Sequence, residues 1–110
     1  MKTEKILLAV TIAAAVALSR FRFADYSGNM ASAGERVLGV PTTDFSAGEQ
    51  ASVATHGEIL VEAGAAIAAG AEVESDANGK AITKAAGISN GFALDAAAAA
   101  GDVIRIVRGI

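Results

Sequence analysis

The sequence has no cysteine and no tryptophan, a single histidine and a single proline, and aromatic residues make up 5% of it. Without cysteine there is no disulfide framework, thiolate nucleophile or thiolate ligand, and the usage suits a reducing compartment. A lone histidine leaves a metal centre or a general base short of partners. His56, in Thr55-His56-Gly57-Glu58, therefore reads as a loop residue between two strands. Charge is scarce as well, at 19%: nine basic residues stand against twelve acidic ones, a net charge of −3 with no long run of one sign. Sequence-independent nucleic-acid binding needs a cationic surface, so no nucleic-acid partner is expected. The longest apolar run, 6–18, falls short of the roughly 20 residues of a membrane helix, so no membrane partner is expected either.

At 110 residues the chain reads as one domain, 1–110. Apolar residues reach 53%, but with so few aromatics much of that is alanine, which buries little area per residue. Twelve glycines add backbone entropy that folding must overcome. A thin core of this kind suggests that the chain gains stability by burying surface against copies of itself or a larger assembly. Short apolar pieces alternate with Gly, Ala and polar turn residues. Candidate strands are 5–12, 16–23, 36–40, 50–54, 58–62, 71–75, 80–84, 91–94 and 103–108, with Pro41 ending the third. Their number and spacing predict an all-β fold, a small compact barrel or sandwich. At most one short helical turn is expected, over 96–100, with Asp95 as its N-cap and Gly101 after its end. Ala33-Gly34-Glu35, Ala47-Gly48-Glu49 and Ala100-Gly101-Asp102 each lead into a predicted strand. There glycine supplies a positive φ, and the acid is expected to stay solvated.

Two stretches raise alternatives. Residues 1–19 carry Lys2 and Lys5, an apolar run and the triplet Ala15-Val16-Ala17, close to a secretory signal, which would make the chain an exported β-domain. Glu4 and the β-branched neighbours Val10, Thr11 and Ile12 favour a strand instead. The stretch "AEVESDANGKAI" (71–82) resembles the strand leading to the modified lysine of lipoyl or biotinyl carriers. In those domains the lysine sits at the hairpin tip, whereas Asn78-Gly79 here makes a turn of 76–79 and Lys80 the first residue of the returning strand.

Chemistry-bearing constellations are sparse. Glu72, Glu74 and Asp76 alternate on one strand but match no EF-hand spacing, and a solvated strand face is expected. No Gly-x-Ser-x-Gly elbow surrounds any serine, and Gly79-Lys80 lacks the rest of a phosphate-binding loop. Arg20 and Arg22 alternate with Phe21 and Phe23 as a short basic stripe, suited to an anionic partner or to protecting a sheet edge. No catalytic, metal or cofactor residue is assigned, and no enzyme activity is expected.

The second half of the chain carries a more specific signal. "HGEILVEAGAAIAAGAEVESDANGKAI", followed by "GFALDAAAAAGDVIRIVRGI", resembles the small capsid decoration, or cement, proteins of tailed bacteriophages. Gly57, Val61, Ala63, Gly64, Ile67, Gly70, Val73, Asp76, Gly79, Lys80 and Ala81 fall where that family's pattern expects them. Gly91, Ala93, Leu94, Ala96, Gly101 and Asp102 do so in its ending. The specific part spans 57–107; the first half is similar more loosely. The resemblance implies a structural protein similar in role to the lambda head decoration protein. It would bind the exterior of the expanded head as homotrimers at three-fold positions and stabilise it against internal DNA pressure. Its partners would be the major capsid protein and itself, and its place the outer capsid surface of the virion after synthesis in the host cytoplasm. Residues 1–18 depart from the family in being so apolar, which suggests a strand or arm that pairs with the capsid or another subunit. Lys2, Thr3, Glu4 and Lys5 of that arm, and Arg20 and Arg22 of the basic stripe, are the expected contact residues.

Overall fold

The computed structural model describes residues 3–109. It is all-β. β1 (Lys5–Ala13), β2 (Val40–Pro41), β3 (Gln50–Glu62), β6 (Phe92–Ala93) and β7 (Val103–Arg108) share one sheet, in the order β1-β3-β7-β6 with β2 also on β3. β4 (Val73–Ser75) and β5 (Ala81–Thr83) form a separate hairpin. The large sheet stays open, so the architecture is a sandwich-like stack and not a closed barrel.

β3 organises the sheet. The sequence suggests two strands separated by a loop at His56, but the backbone runs extended through all 13 residues. Thr55 is β-branched, which suits a strand. Its Oγ1 donates to Leu8 O at 3.1 Å where the ladder is irregular. There Leu8 stands opposite His56, while on either side the register is unchanged, Ile6 facing Gly57 and Ala9 facing Ala54. Gly57 holds φ 113°, and a Cβ there would lie 2.3 Å from Lys5 O, so only glycine lets the two strands approach. What looked like turn chemistry is an accommodation inside a strand.

Side-chain alternation fills the core. Ile59 and Val61 on β3, with Ile104 and Ile106 on β7, are fully buried and meet Phe23, Val37, Val40 and Val73 in the main cluster. Six of its members are alanines: Ala31, Ala54, Ala63, Ala81, Ala93 and Ala97. A second, smaller cluster joins Leu18, Ala24, Ala51 and Val53, with Ile12, Met30 and Phe45 against it. The core is as alanine-rich as the composition suggests.

Several expected elements are shorter or different. The expected strand 16–23 survives as one bridge, Leu18 to Phe45, because Phe21 turns the backbone into the left-handed region at φ 72°. Of 36–40, only Val40 enters the sheet; Pro41 ends the strand, as its missing N–H requires. The alanine run 96–100 forms no helix. Ala97 is instead pinned by reciprocal backbone bonds to Ile67, at 2.9 and 3.0 Å. Asp95 starts no helix: its carboxylate accepts from Arg105 N at 3.0 Å and from the Arg105 guanidinium at 2.9 Å.

The Gly-acid recurrence is one turn built three times. In 32–35, 46–49 and 99–102 the last residue's N–H donates to the first residue's carbonyl, with a positive-φ glycine third. The acid then reaches back: Glu35 Oε1 accepts Ser32 N–H, Glu49 Oε1 accepts Ser46 N–H and Asp102 Oδ2 accepts Ala99 N–H. These carboxylates close their turns, while Glu49 and Asp102 stay exposed as expected and Glu35 is half-buried.

Burial separates the consequences of substitution. Ile59→Ala, at 0% exposure, is expected to cost about 2–5 kcal/mol in urea unfolding. Leu7→Ala, at 82% exposure, should stay within about 0.5 kcal/mol. Equal losses would contradict the assignment of β1 as an outer strand.

Candidate functional site

Those of the expected contact residues that are described fall along one edge of β3. β1 covers that edge as far as Lys5, opposite Glu58. Beyond it, Leu60 N–H donates to Glu4 Oε1 at 3.2 Å, and Glu62 N–H donates to Phe21 O at 2.7 Å. Glu4 and the 20–22 turn thus take over, in succession, the ladder bonds that β1 no longer supplies. Thr3 is exposed beside Glu4, while Lys2 lies outside the described residues. The structure brings the arm and the basic stripe together, although nothing in their spacing linked them.

Arg20 and Arg22 do not form a strand face. Arg20 N–H donates to Asp44 Oδ1 at 2.8 Å, and its guanidinium stacks 4.6 Å from the centre of the Phe21 ring. Arg22 approaches Glu62 at 3.8 Å, and Lys80 Nζ reaches the same carboxylate at 3.1 Å. The stripe is therefore a turn, with one cation stacked on an aromatic face and the other in a shared ion pair.

The apolar part of β1 lies beside this group. β1 is paired on one edge only, and Ile6, Leu7 and Leu8 are 37%, 82% and 49% exposed. At the far side of the sheet β6 is closed, since Glu72 bridges Phe92 and Ala93 N–H donates to Ala71 O. β1 is consequently the free edge of the large sheet, and 6–18 carries no charge to protect it. Leu7 and Leu8 are the prominent residues that a search for chemistry passes over; the uncharged run Ile-Leu-Leu-Ala-Val was the available signal.

The remaining candidates have structural duties. Lys80 follows a turn in which Asp76 Oδ1 accepts Asn78 N–H and Lys80 N–H, at 2.8 and 2.9 Å. Its side chain folds back to Glu62, so it is not displayed at the hairpin tip as a carrier lysine would be. Lys80 just precedes β5, which begins at Ala81. His56 is exposed within β3, its Nδ1 2.9 Å from Thr55 Oγ1. Glu72, Glu74 and Asp76 do not converge on a common point as a cation site; no group of three metal-ligating side chains occurs among the described residues. Glu74 also departs from the expected solvated face, being 7% exposed.

Two arginines on β7 were not singled out by sequence. The hydrogen bond to Asp95 is the main cause raising the Arg105 pKa above its ordinary value. Arg108 is held below its ordinary value by burial. Its guanidinium donates to Leu38 O at 2.7 Å and Val37 O at 3.1 Å, tying the end of the sheet to the segment before β2.

Two substitutions test this arrangement by thermal or urea unfolding. Gly79, at φ 76° and with a Cβ position 3.0 Å from Phe23 O, should not tolerate alanine: a loss above about 1 kcal/mol is expected. Glu62→Gln removes the shared ion pair of partly exposed side chains and should cost less than about 1 kcal/mol. The reverse order would mean that the ion pairs, and not the turn, secure the hairpin.

Comparison with known proteins adds two findings. A family model described as phage cement protein matches residues 1–108. Among solved structures, the head fiber gp8.5 N base of bacteriophage phi29 superposes with a TM-score of 0.76 at 20% identity, covering 93% of each chain. At that identity the likeness concerns the fold. No curated protein matches the chain.

Proposed function

Because the chain belongs to the phage cement protein family, we propose that it binds the exterior of the expanded capsid and clamps neighbouring capsomers against the pressure of packaged DNA. The proposed working unit is a homotrimer at three-fold positions, the proposed partner is the major capsid protein, and the role is structural, without catalysis or cofactor. The observation that carries this reading is the free apolar edge. A strand with Leu7 82% exposed and no protecting charge along 6–18 calls for a partner that covers it. Strand addition by an extended segment of the shell or of a neighbouring subunit satisfies both the unpaired backbone and the leucines. The Arg20–Arg22 turn and Glu4, on the same edge of β3, extend that surface with polar groups that set orientation. A thin, alanine-rich core supports the same reading, since stability is then shared with the assembly.

The experiment is co-sedimentation with expanded heads lacking the protein. The wild type is expected to bind, and to protect the heads from disruption by heat. The double variant Leu7→Ser/Leu8→Ser should remain folded by circular dichroism and lose binding by about tenfold or more. Undiminished binding by the double variant would remove β1 from the contact surface. Absence of wild-type binding would overturn the decoration role.

A further inference from the structure

Away from β1, the hairpin sheet carries a buried carboxylate with no counter-charge. Glu74, the middle residue of β4, is 7% exposed and takes part in none of the ion pairs among the described residues. Its Oε1 accepts Ala85 N–H and Gly87 N–H, the latter at 3.2 Å, which orders the loop after β5. Oε2 has no hydrogen-bond partner among the described residues. It faces the seam between two glycine loops: a Cβ on Gly87 would lie 2.3 Å from it, and one on Gly34 3.6 Å. These loops are tied together, Ile88 N–H donating to Gly34 O at 3.0 Å and Gly34 N–H to Ser75 O at 2.9 Å. Between them lies a shallow, open cleft of about 350 Å³, lined by Ala33, Gly34, Glu74, Ala86 and Gly87.

We infer that this cleft is a binding site for a primary ammonium group, the head of a lysine side chain from a partner protein in the assembly. Two N–H donors on Oε1 offset part of the cost of burying this anion, and a cation at Oε2 would offset more. The small walls admit a slender aliphatic stem and offer a single carboxylate, with no group of three metal-ligating side chains among the described residues. With Oε1 already holding two N–H donors, a guanidinium cannot engage both oxygens in its fork, whereas a compact ammonium needs Oε2 alone. Lys84, the cation next to that loop, places Nζ 3.5 Å from Ala85 O and forms no ion pair with Glu74. The cleft itself is independent of the decoration role; the identity of the protein that donates the lysine rests on that role.

The test is a titration of the isotope-labelled protein with n-butylammonium chloride, against methylguanidinium chloride and sodium chloride at equal ionic strength. Saturable shifts of the Gly34, Ala85 and Gly87 amide resonances are expected with n-butylammonium and not with the other two salts. Glu74→Gln keeps a carbonyl for the two loop N–H groups and replaces Oε2 by a donor. It should stay folded and lose the response, whereas Lys84→Ala should keep it. Non-saturating shifts, equal response to methylguanidinium, or an unchanged response in Glu74→Gln each overturn the site. On expanded heads, Glu74→Gln should bind about tenfold more weakly than the wild type. Equal binding by the two would remove the cleft from the capsid contact while leaving the decoration role in place. Failure of the wild type to bind would remove that role and leave the titration to decide the cleft.

Discussion

Backbone pairing on both edges of β3 is the constraint from which the remaining structure follows. One edge is filled by β1, Glu4 and the Phe21 carbonyl in turn; the other takes β2 near its start and β7 near its end. A strand used in this way cannot shift by one residue without moving Ile59 and Val61 out of the core. The fold therefore has a rigid spine despite having few large apolar side chains. Gly57 and Thr55 are the local conditions for it, the first by its missing side chain and the second by a hydroxyl that replaces an interrupted ladder bond.

Around this spine, stability is distributed over small devices. The three Gly-acid turns each close a loop with one carboxylate, and Asp25 and Asp76 do the same at their own turns. Most of the chain between strands is irregular but hydrogen-bonded, as backbone polar groups beside a core must be. These acids are thereby engaged at their own turns, Glu49 and Asp102 while still exposed. The surface proposed for association is defined more by the apolar edge of β1 than by charge.

The all-β class, the last strand 103–108 and the glycine-dependent turns were legible in the chain, because alternation and positive-φ glycines are local signals. The family was legible as well, since its pattern of glycines and small residues over 57–107 records turn, close-approach and core positions rather than chemistry. The fate of individual polar residues was not. Whether His56 lies in a loop or a strand depends on Leu8, 48 positions away, and Phe21 leaves the expected strand 16–23 at a turn whose carbonyl is held by Glu62. Likewise Glu74 reads as solvent-facing from alternation, and becomes buried because the loops at Gly34 and Gly87 fold over it.

What the sequence by itself determined is therefore the kind of fold, the turn chemistry and the absence of thiol chemistry, all set by residue type and near neighbours. The tertiary structure alone decided which edge stays open, that Glu4 and the Arg20–Arg22 turn share it, and that Glu74 enters no ion pair among the described residues. Those properties arise from pairings between distant segments, and hydrogen-bond partners across such distances leave no periodic trace in either segment. The physical reason is that a strand's edge and a carboxylate's burial are properties of what packs against them.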